Sequence, residues 1–479
     1  MSALSRIQFF GTLTKIVTVV LGVIQTAVLL RILTPAQYGI IGIVTALASL
    51  VGVSQHLGVV DATIREIAMT DDVRHRAHIF WVSIWFRMLF TIPISFLLVI
   101  FASFIGNNIY HLPEITGFIL LMSIILILQG LQGVLGGVYT GLRHFKELYF
   151  IQIITAALNV VIFTSFAYFF GVKGFFMAMM ITVTIFILLL CVFLKRVIGG
   201  SLEHPRRADF IAVWKDIFHT GFWTYIARIF SVAWQQAPML ILGKWASPEI
   251  VGFYNVALSF GSKLTILASA IGEVNLAFLS NAYSRSIDEF RKLSGKTLNE
   301  VGVVILFGTG TMALFADVLL RIFAGNSYAP ALQVTVLVSW AYAIFAFLDI
   351  ATNTIFVPTR KAQYKAYSFG VLVLVTFGVM FFMHKSPLVA TGWGVLIGSL
   401  SAMAAMIYFA EVNAKVRIFS EKLINVFLLS VPVFYLTIIY PNIIIRLCIF
   451  LVLAIVCFWL LLFEIMKNFL STKFTHGKT

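Results

Sequence analysis

Thr34-Pro35-Ala36-Gln37-Tyr38-Gly39 lies between two apolar stretches, residues 11–31 and 38–58. A hydroxyl–Pro–x–x–x–Gly pattern returns at Ser247-Pro248-Glu249-Ile250-Val251-Gly252, between the stretches 218–242 and 251–277. The offset is 213 residues. Further echoes keep nearly the same spacing: Arg143 and Tyr149 are matched by Arg360 and Tyr367 at 217 and 218, and Gly174 by Gly392 at 218. Apolar stretches near 20 residues match the hydrocarbon thickness of a bilayer. Four matches in order at nearly one offset predict two six-helix halves in parallel orientation. That arrangement marks transporters whose two lobes rock about a central site.

Reading outward from those motifs, polar breaks divide the chain into spans at 11–31, 38–58, 79–104, 116–140, 149–170, 174–195, 218–242, 251–277, 300–323, 330–355, 366–384, 388–411, 423–440 and 443–466. The expected fold is an all-α integral membrane protein with about 14 transmembrane helices. Two six-helix lobes related by pseudo-two-fold symmetry are followed by two C-terminal helices. The domains are read as residues 1–205 (first lobe and linker), 206–415 (second lobe) and 416–479 (two added helices and a cytoplasmic tail). The 195–215 segment, with Gly199-Gly200-Ser201 and His204-Pro205-Arg206-Arg207, reads as the linker.

Composition agrees. Of 479 residues, 61% are hydrophobic and only 11% charged, where a soluble domain carries about 25% charged residues. Mean hydropathy is +1.01. The 46 Phe exceed what a water-soluble core of this length needs. Backbone in contact with lipid must satisfy its own hydrogen bonds, so the spans are helices. A net charge of +15 on a soluble module would suggest nucleic acid, but here the cations lie between apolar segments, and no nucleic-acid partner is expected.

The cations instead set topology. With the N-terminus cytoplasmic, the outer side holds only Arg31, Lys173, Lys244, Arg321, Lys385 and Arg446. Lys15, Arg87, Arg228 and Lys263 fall inside spans, and the rest of the 34 Lys and Arg lie on the cytoplasmic side. Both termini are therefore expected in the cytoplasm. The apolar stretch ending near Leu33 is too long for a signal-peptide core and reads as a retained first helix. Cys191, Cys448 and Cys457 lie in apolar stretches without metal-ligand spacing and read as inert thiols. There is no G-x-x-x-x-G-K-[ST], no H-E-x-x-H and no Cys-His cluster, so neither nucleotide, metal nor other cofactor is expected.

Leu30-Arg31-Ile32-Leu33-Thr34-Pro35-Ala36-Gln37-Tyr38-Gly39, followed by Leu57-Gly58-Val59-Val60-Asp61-Ala62-Thr63-Ile64-Arg65, resembles the opening of the polysaccharide-exporter family of oligosaccharide flippases. That family shares a superfamily with lipid II flippases and with multidrug and toxin extrusion antiporters. The echo from Pro248 to Tyr254 resembles the start of the family's second lobe. The resemblance implies export of undecaprenyl-diphosphate-linked sugar units across a bacterial inner membrane, for O-antigen, capsule or exopolysaccharide, by a non-enzymatic monomer. Its implied partners are the lipid-linked oligosaccharide, membrane lipids, and polysaccharide polymerase and chain-length proteins.

Ionisable residues within spans are costly and by default face a cavity or each other. Arg228, about ten residues into its span, is the sharpest candidate for binding an anionic substrate, and Lys263, Arg87 and Lys15 join it. The bland reading pairs each with an acid, or lets Lys15 snorkel to the interface. Lys15 shares one helix face with Gly11, Thr18, Gly22 and Gln25, a polar or small stripe expected to turn away from lipid. Glu273 and Asp349 lie deep enough to couple a cation or to pair with Lys263 or Arg228. Asp61–Arg65 and Asp317–Arg321 read as ordinary i,i+4 pairs. Gln129, Gly133, Gly136, Gly137 and Thr140 read as a close-packing face. Trp81, Trp85, Trp223, Trp234, Trp245 and Trp340 read as an interfacial belt, with sugar stacking as the sharper alternative.

These features point to a lipid-linked oligosaccharide flippase, because four deep cations answer a diphosphate. The alternative is a cation-coupled multidrug antiporter of the same superfamily, which would want acids and an aromatic wall in its cavity. A membrane-embedded enzyme would need a sizeable outer loop. The longest one expected, Gly106 to Ile115, is only about ten residues.

Overall fold

A computed structural model describes residues 3–56, 59–70, 72–197, 207–413, 421–439 and 442–475. Within them, the side chains of 3–9, 12, 54, 56, 61, 193, 195–197, 207–221, 266–278, 280, 281, 284, 421–424, 427, 438 and 461–475 lie outside the described set, as do residues 198–206 of the expected linker. All described regular structure is helical. In order, the helices are α1 Ala3–Ile32, α2 Pro35–Gly52, α3 Val59–Met69, α4 Val73–Phe104, α5 Pro113–Gly141, α6 Phe145–Val197, α7 Arg207–Trp245 and α8 Pro248–Arg285. Then follow α9 Ile287–Leu314, α10 Ala316–Phe323, α11 Leu332–Phe356, α12 Ala362–Phe382, α13 Pro387–Val412, α14 Glu421–Ile439 and α15 Ile443–Thr475.

Ten of the described helical stretches are long and apolar enough to cross a bilayer. One of them is α6, whose 53 residues break at Gly171 (φ 56, ψ −133) into two spans. α7, α8 and α14 are helices at the positions of the remaining expected spans. Large apolar side chains stand exposed along them, among them Leu89, Phe96, Leu374 and Ile455, each more than 60% exposed. Only a lipid environment makes such a surface stable, and the chain is a multi-pass membrane protein.

Two expected features differ. The span read as 38–58 ends at Gly52, passes through a 3-10 turn at Val53–His56, and is followed by the separate α3. The loop read at 106–115 is mostly helical: a π turn at Ile105–Ile109 extends α4, and Pro113 opens α5.

By contacts the chain divides into two compact units: Met1–Asn255 with Phe323–Ser327, and Val256–Ile322 with Tyr328–Thr479. The first unit has a core around Ile67, Phe80, Leu135, Tyr139, Ile151 and Leu190, where the Tyr139 hydroxyl donates to the Leu190 carbonyl at 2.6 Å. In the second unit α11 is buried along almost its whole length.

The sequence echoes have physical causes. Thr34 caps α2: its hydroxyl accepts from Gln37 N–H (3.3 Å), and the Gln37 side chain accepts from Thr34 N–H (3.0 Å), with Pro35 in the first turn. The glycines of the two motifs permit a crossing of α2 with the start of α8, inside the first unit. A Cβ on Gly39 would strike the Pro248 carbonyl, and one on Gly252 would strike the Pro35 carbonyl. Each repeat's glycine thus receives the other repeat's proline, as a two-fold relation requires. Asn255 Nδ2 adds a hydrogen bond to the Tyr38 carbonyl at 2.9 Å.

Arg143 and Arg360 are both left-handed, at φ 60 and φ 56. Each sits in the same helix-ending turn. His144 N–H donates to Tyr139 O (3.0 Å) and Arg143 N–H to Thr140 O (3.1 Å). Lys361 N–H donates to Phe356 O (2.8 Å) and Arg360 N–H to Val357 O (3.1 Å). The i→i−5 bond with a left-handed residue satisfies the carbonyls at a helix end, and a non-glycine there is uncommon. Its presence twice, 217 residues apart, shows a repeat of structure as well as of letters.

Candidate functional site

The first unit holds a partly open cavity of about 670 Å³. Its wall is built from α2 (Thr45, Ser49), the 3-10 turn (Gln55), α3 (Val60, Ile64), α4 (Arg87), α5, α6 (Gln152, Met179, Phe186) and α7 (Arg228, Val232, Gln236). From α5 come Gln129, Gln132, Gly133, Gly136, Gly137 and Thr140, one helical face. Arg228, Val232 and Gln236 form a similar i, i+4, i+8 face on α7.

Two of the expected cations meet here. Arg87 is 2% exposed and donates Nη1–H to the Gln55 carbonyl, while its Nε is buried without a partner. A Cβ on Gly133 would come 3.9 Å from Arg87 Nη2, so the guanidinium stands beside that open stretch of α5. Arg228 is exposed and hydrogen-bonds to no described residue. Both guanidinium-bearing residues line this one cavity. Among the described residues no carboxylate lines the wall.

Of the other candidates, Lys15 is exposed on α1 and does not line this cavity. Its neighbour Gly11 packs on Tyr149, whose hydroxyl would be 2.7 Å from a Cβ at that position. Lys263, on α8, belongs to the second unit and is half-buried. The Glu273 side chain lies outside the described residues. Asp349 does pair, but with neither Arg228 nor Lys263. Lys365 Nζ reaches its Oδ1 at 2.9 Å and Asn353 Oδ1 at 2.8 Å, above the Phe369 ring. Lys365, read from the sequence as a loop cation, is the buried member of that pair, its side chain 10% exposed.

The two expected i,i+4 pairs involve further partners. Asp317 is bound by Arg446 Nη1 of α15 at 2.7 Å, because packing brings that helix end to α10. Arg65 binds its neighbour Glu66 at 3.3 Å, and the Asp61 side chain lies outside the described residues. Trp340 is buried, donating to Thr437 Oγ1 (3.3 Å) edge-on to Phe434, so it ties α11 to α14 instead of forming a belt or a sugar platform. Among the described residues no tryptophan lines the cavity, and Phe186 is the one aromatic there.

The glycine face of α5 divides. A Cβ on Gly137 would lie 3.0 Å from Val60, and one on Gly141 2.9 Å from the Ile64 carbonyl, so these two seat α3. Gly136 has nothing within 4 Å and leaves the cavity open. From the sequence, Gln129 reads as part of a packing face and the other amides do not stand out. Five of the chain's eleven glutamines, Gln55, Gln129, Gln132, Gln152 and Gln236, converge on this wall. The available signal is intramembrane Gln at helical spacing, which charge does not report.

Comparison with known proteins gives a consistent picture. A family model described as polysaccharide biosynthesis protein matches residues 28–333. No curated protein matches the sequence. Among solved structures, the lipid II flippase MurJ in an inward closed conformation aligns with a TM-score of 0.74 at 11% identity, over 96% of this chain and 99% of that one. An inward-facing multidrug resistance MATE family transporter of the MOP superfamily aligns with a TM-score of 0.69 at 13% identity, over 82% of this chain and 93% of that one. The eukaryotic MATE transporter AtDTX14 aligns at 0.60 and 13%, over 86% and 98%. At these identities the likeness is one of fold.

Proposed function

The chain belongs to the polysaccharide biosynthesis protein family and has the fold of MOP-superfamily transporters, and we propose that it is a flippase for undecaprenyl-diphosphate-linked oligosaccharide units. It acts in a bacterial inner membrane with both termini cytoplasmic, by rocking residues 1–205 against 206–415. The observation that carries this reading is the pair Arg87 and Arg228 lining one intramembrane cavity, with no carboxylate among the described wall residues. Such a pair is stable when an anion joins it, and guanidinium forks match phosphate oxygens. A cation-coupled multidrug antiporter would want a carboxylate in the cavity. Asp349 is engaged by Lys365 in the second unit, which leaves that alternative without an acid there among the described residues.

The test is surface polysaccharide in a complemented deletion strain, with membrane levels of each variant checked. Arg228→Ala abolishes export, and Arg228→Lys keeps part of it because charge remains while the fork is lost. A charge-assisted hydrogen bond of about 1.5–3 kcal/mol corresponds to roughly 10- to 100-fold in binding. Rescue of Arg228→Ala by Glu273→Ala would show an internal ion pair instead, and would sink the phosphate role.

A further inference from the structure

The side-chain amides of Gln129, Gln132, Gln152 and Gln236 have no hydrogen-bond partner among the described residues, and Gln55 Nε2 is buried without one. Each primary amide carries two donors and an acceptor with two lone pairs. Inside a membrane such groups are expensive unless something answers them. Close packing does not explain them. Gln129 and Gln132 lie on the open face of α5 with Gly133 and Gly136, and all five amides border the same cavity.

A ligand suited to this wall must both donate and accept at many points while carrying no positive charge, since Arg87 and Arg228 would repel it. Sugar hydroxyls and acetamido groups have that character; apolar drugs do not. We infer that Gln129, Gln132, Gln152 and Gln236 form a glycan-recognition wall for neutral sugar residues, set beside the arginines that hold phosphate, and that these glutamines decide which glycan is accepted. The inference rests on the flippase reading and adds to it the residues that read the sugar. A cavity of about 670 Å³ is in the range that encloses a drug-sized ligand, so it holds the sugars nearest the phosphate and not a long chain.

The experiment measures binding to the purified full-length protein in detergent. One probe is geranylgeranyl diphosphate. The others are geranylgeranyl diphosphates bearing a single glucose, galactose or N-acetylglucosamine. The wild type should bind at least one glycosylated probe about 10-fold or more tighter than the bare one. Gln132→Leu and Gln152→Leu should each remove roughly 3- to 10-fold of that advantage, the scale of one net hydrogen bond, with affinity for the bare probe unchanged. Arg228→Ala should weaken all probes alike. Equal wild-type affinity for the bare and all three glycosylated probes would overturn the glycan wall while leaving the phosphate reading intact. Glutamine variants that weaken the bare probe as much as the glycosylated ones would assign these residues to cavity shape and also overturn it. If the wild type binds none of the probes, the flippase reading and this inference fall together.

Discussion

Gly39→Ala should disturb the crossing of α2 with α8 more than any comparable change on the surface of either helix. A Cβ there would run into the Pro248 carbonyl and would lie 2.8 Å from both the Pro248 carbonyl carbon and Gly252 N, against an ordinary contact of 3.4–4 Å. All three obstacles are backbone, so no rotamer relieves them, and the helices must separate by roughly an ångström, which overpacking data put at about 1–3 kcal/mol. If the lobes rock as proposed, this crossing closes in one state and opens in the other, so the penalty falls on the closed state alone. A bias of 1–3 kcal/mol is about a 5- to 150-fold change in the ratio of states. Spin labels at Ala36→Cys and Glu249→Cys, on a background with Cys191, Cys448 and Cys457 changed to Ser, read the separation directly. The wild type should show one dominant short distance and Gly39→Ala a second, longer one. Gly252→Ala should do the same through Pro35, and the double variant should add little, because one opened crossing leaves the second methyl unopposed. An unchanged distance distribution in Gly39→Ala with a lower melting temperature would mean that the crossing is fixed packing, and the gating argument would fail.

Three other outcomes are expected. Gly136→Leu projects into open space and should leave the melting temperature near wild type while blocking export. Gly137→Leu meets Val60 at 3.0 Å and should destabilise the protein by about 1–3 kcal/mol, so equal melting of the two would contradict the division of α5. Lys365→Met strands Asp349, and Asp349→Leu strands the more buried ammonium; each should cost about 2–4 kcal/mol in thermal melting, and the double variant should be more stable than either single one. Reporter fusions after Lys296 should read cytoplasm and those at Asn108 and Pro248 the outer side, since the positive-inside asymmetry sets orientation; opposite readings at two sites would reverse the topology.

The spans were legible because lipid imposes one solution, a helix of about 20 apolar residues, and hydropathy reports it without knowledge of neighbours. The repeat was legible for a similar reason: its letters are local devices. Pro35 and Pro248 open helices, and Arg143 and Arg360 close them in the same left-handed turn. Charge partners were much less legible. Spacing of four suggested Asp317–Arg321 and gave no sign of Arg446, which reaches Asp317 from 129 residues away, or of the α12 lysine that meets Asp349. Sequence spacing ranks partners on one helix and says nothing of the next helix.

The cavity shows where the limit lies. The face Gln129, Gly133, Gly136, Gly137 and Thr140 was visible at helical spacing and read as packing, which holds for Gly137 and fails for Gly136. What separates two adjacent glycines is α3, whose Val60 and Ile64 cover the end of α5 from Gly137 to Gly141 and line the cavity at its edge. α3 exists as a separate helix because the chain turns at Val53–His56, inside what hydropathy reads as one continuous span. Ser54, Gln55 and His56 of the turn and the charged Asp61, Arg65 and Glu66 of α3 mark where the apolar stretch ends, but hydropathy does not say that the chain turns there and starts a second helix. The same turn carries Gln55, whose carbonyl holds Arg87 at the wall. One unseen bend therefore decides which small residues pack, which stay open, and where a buried guanidinium is held, and the site becomes readable only once that bend is known.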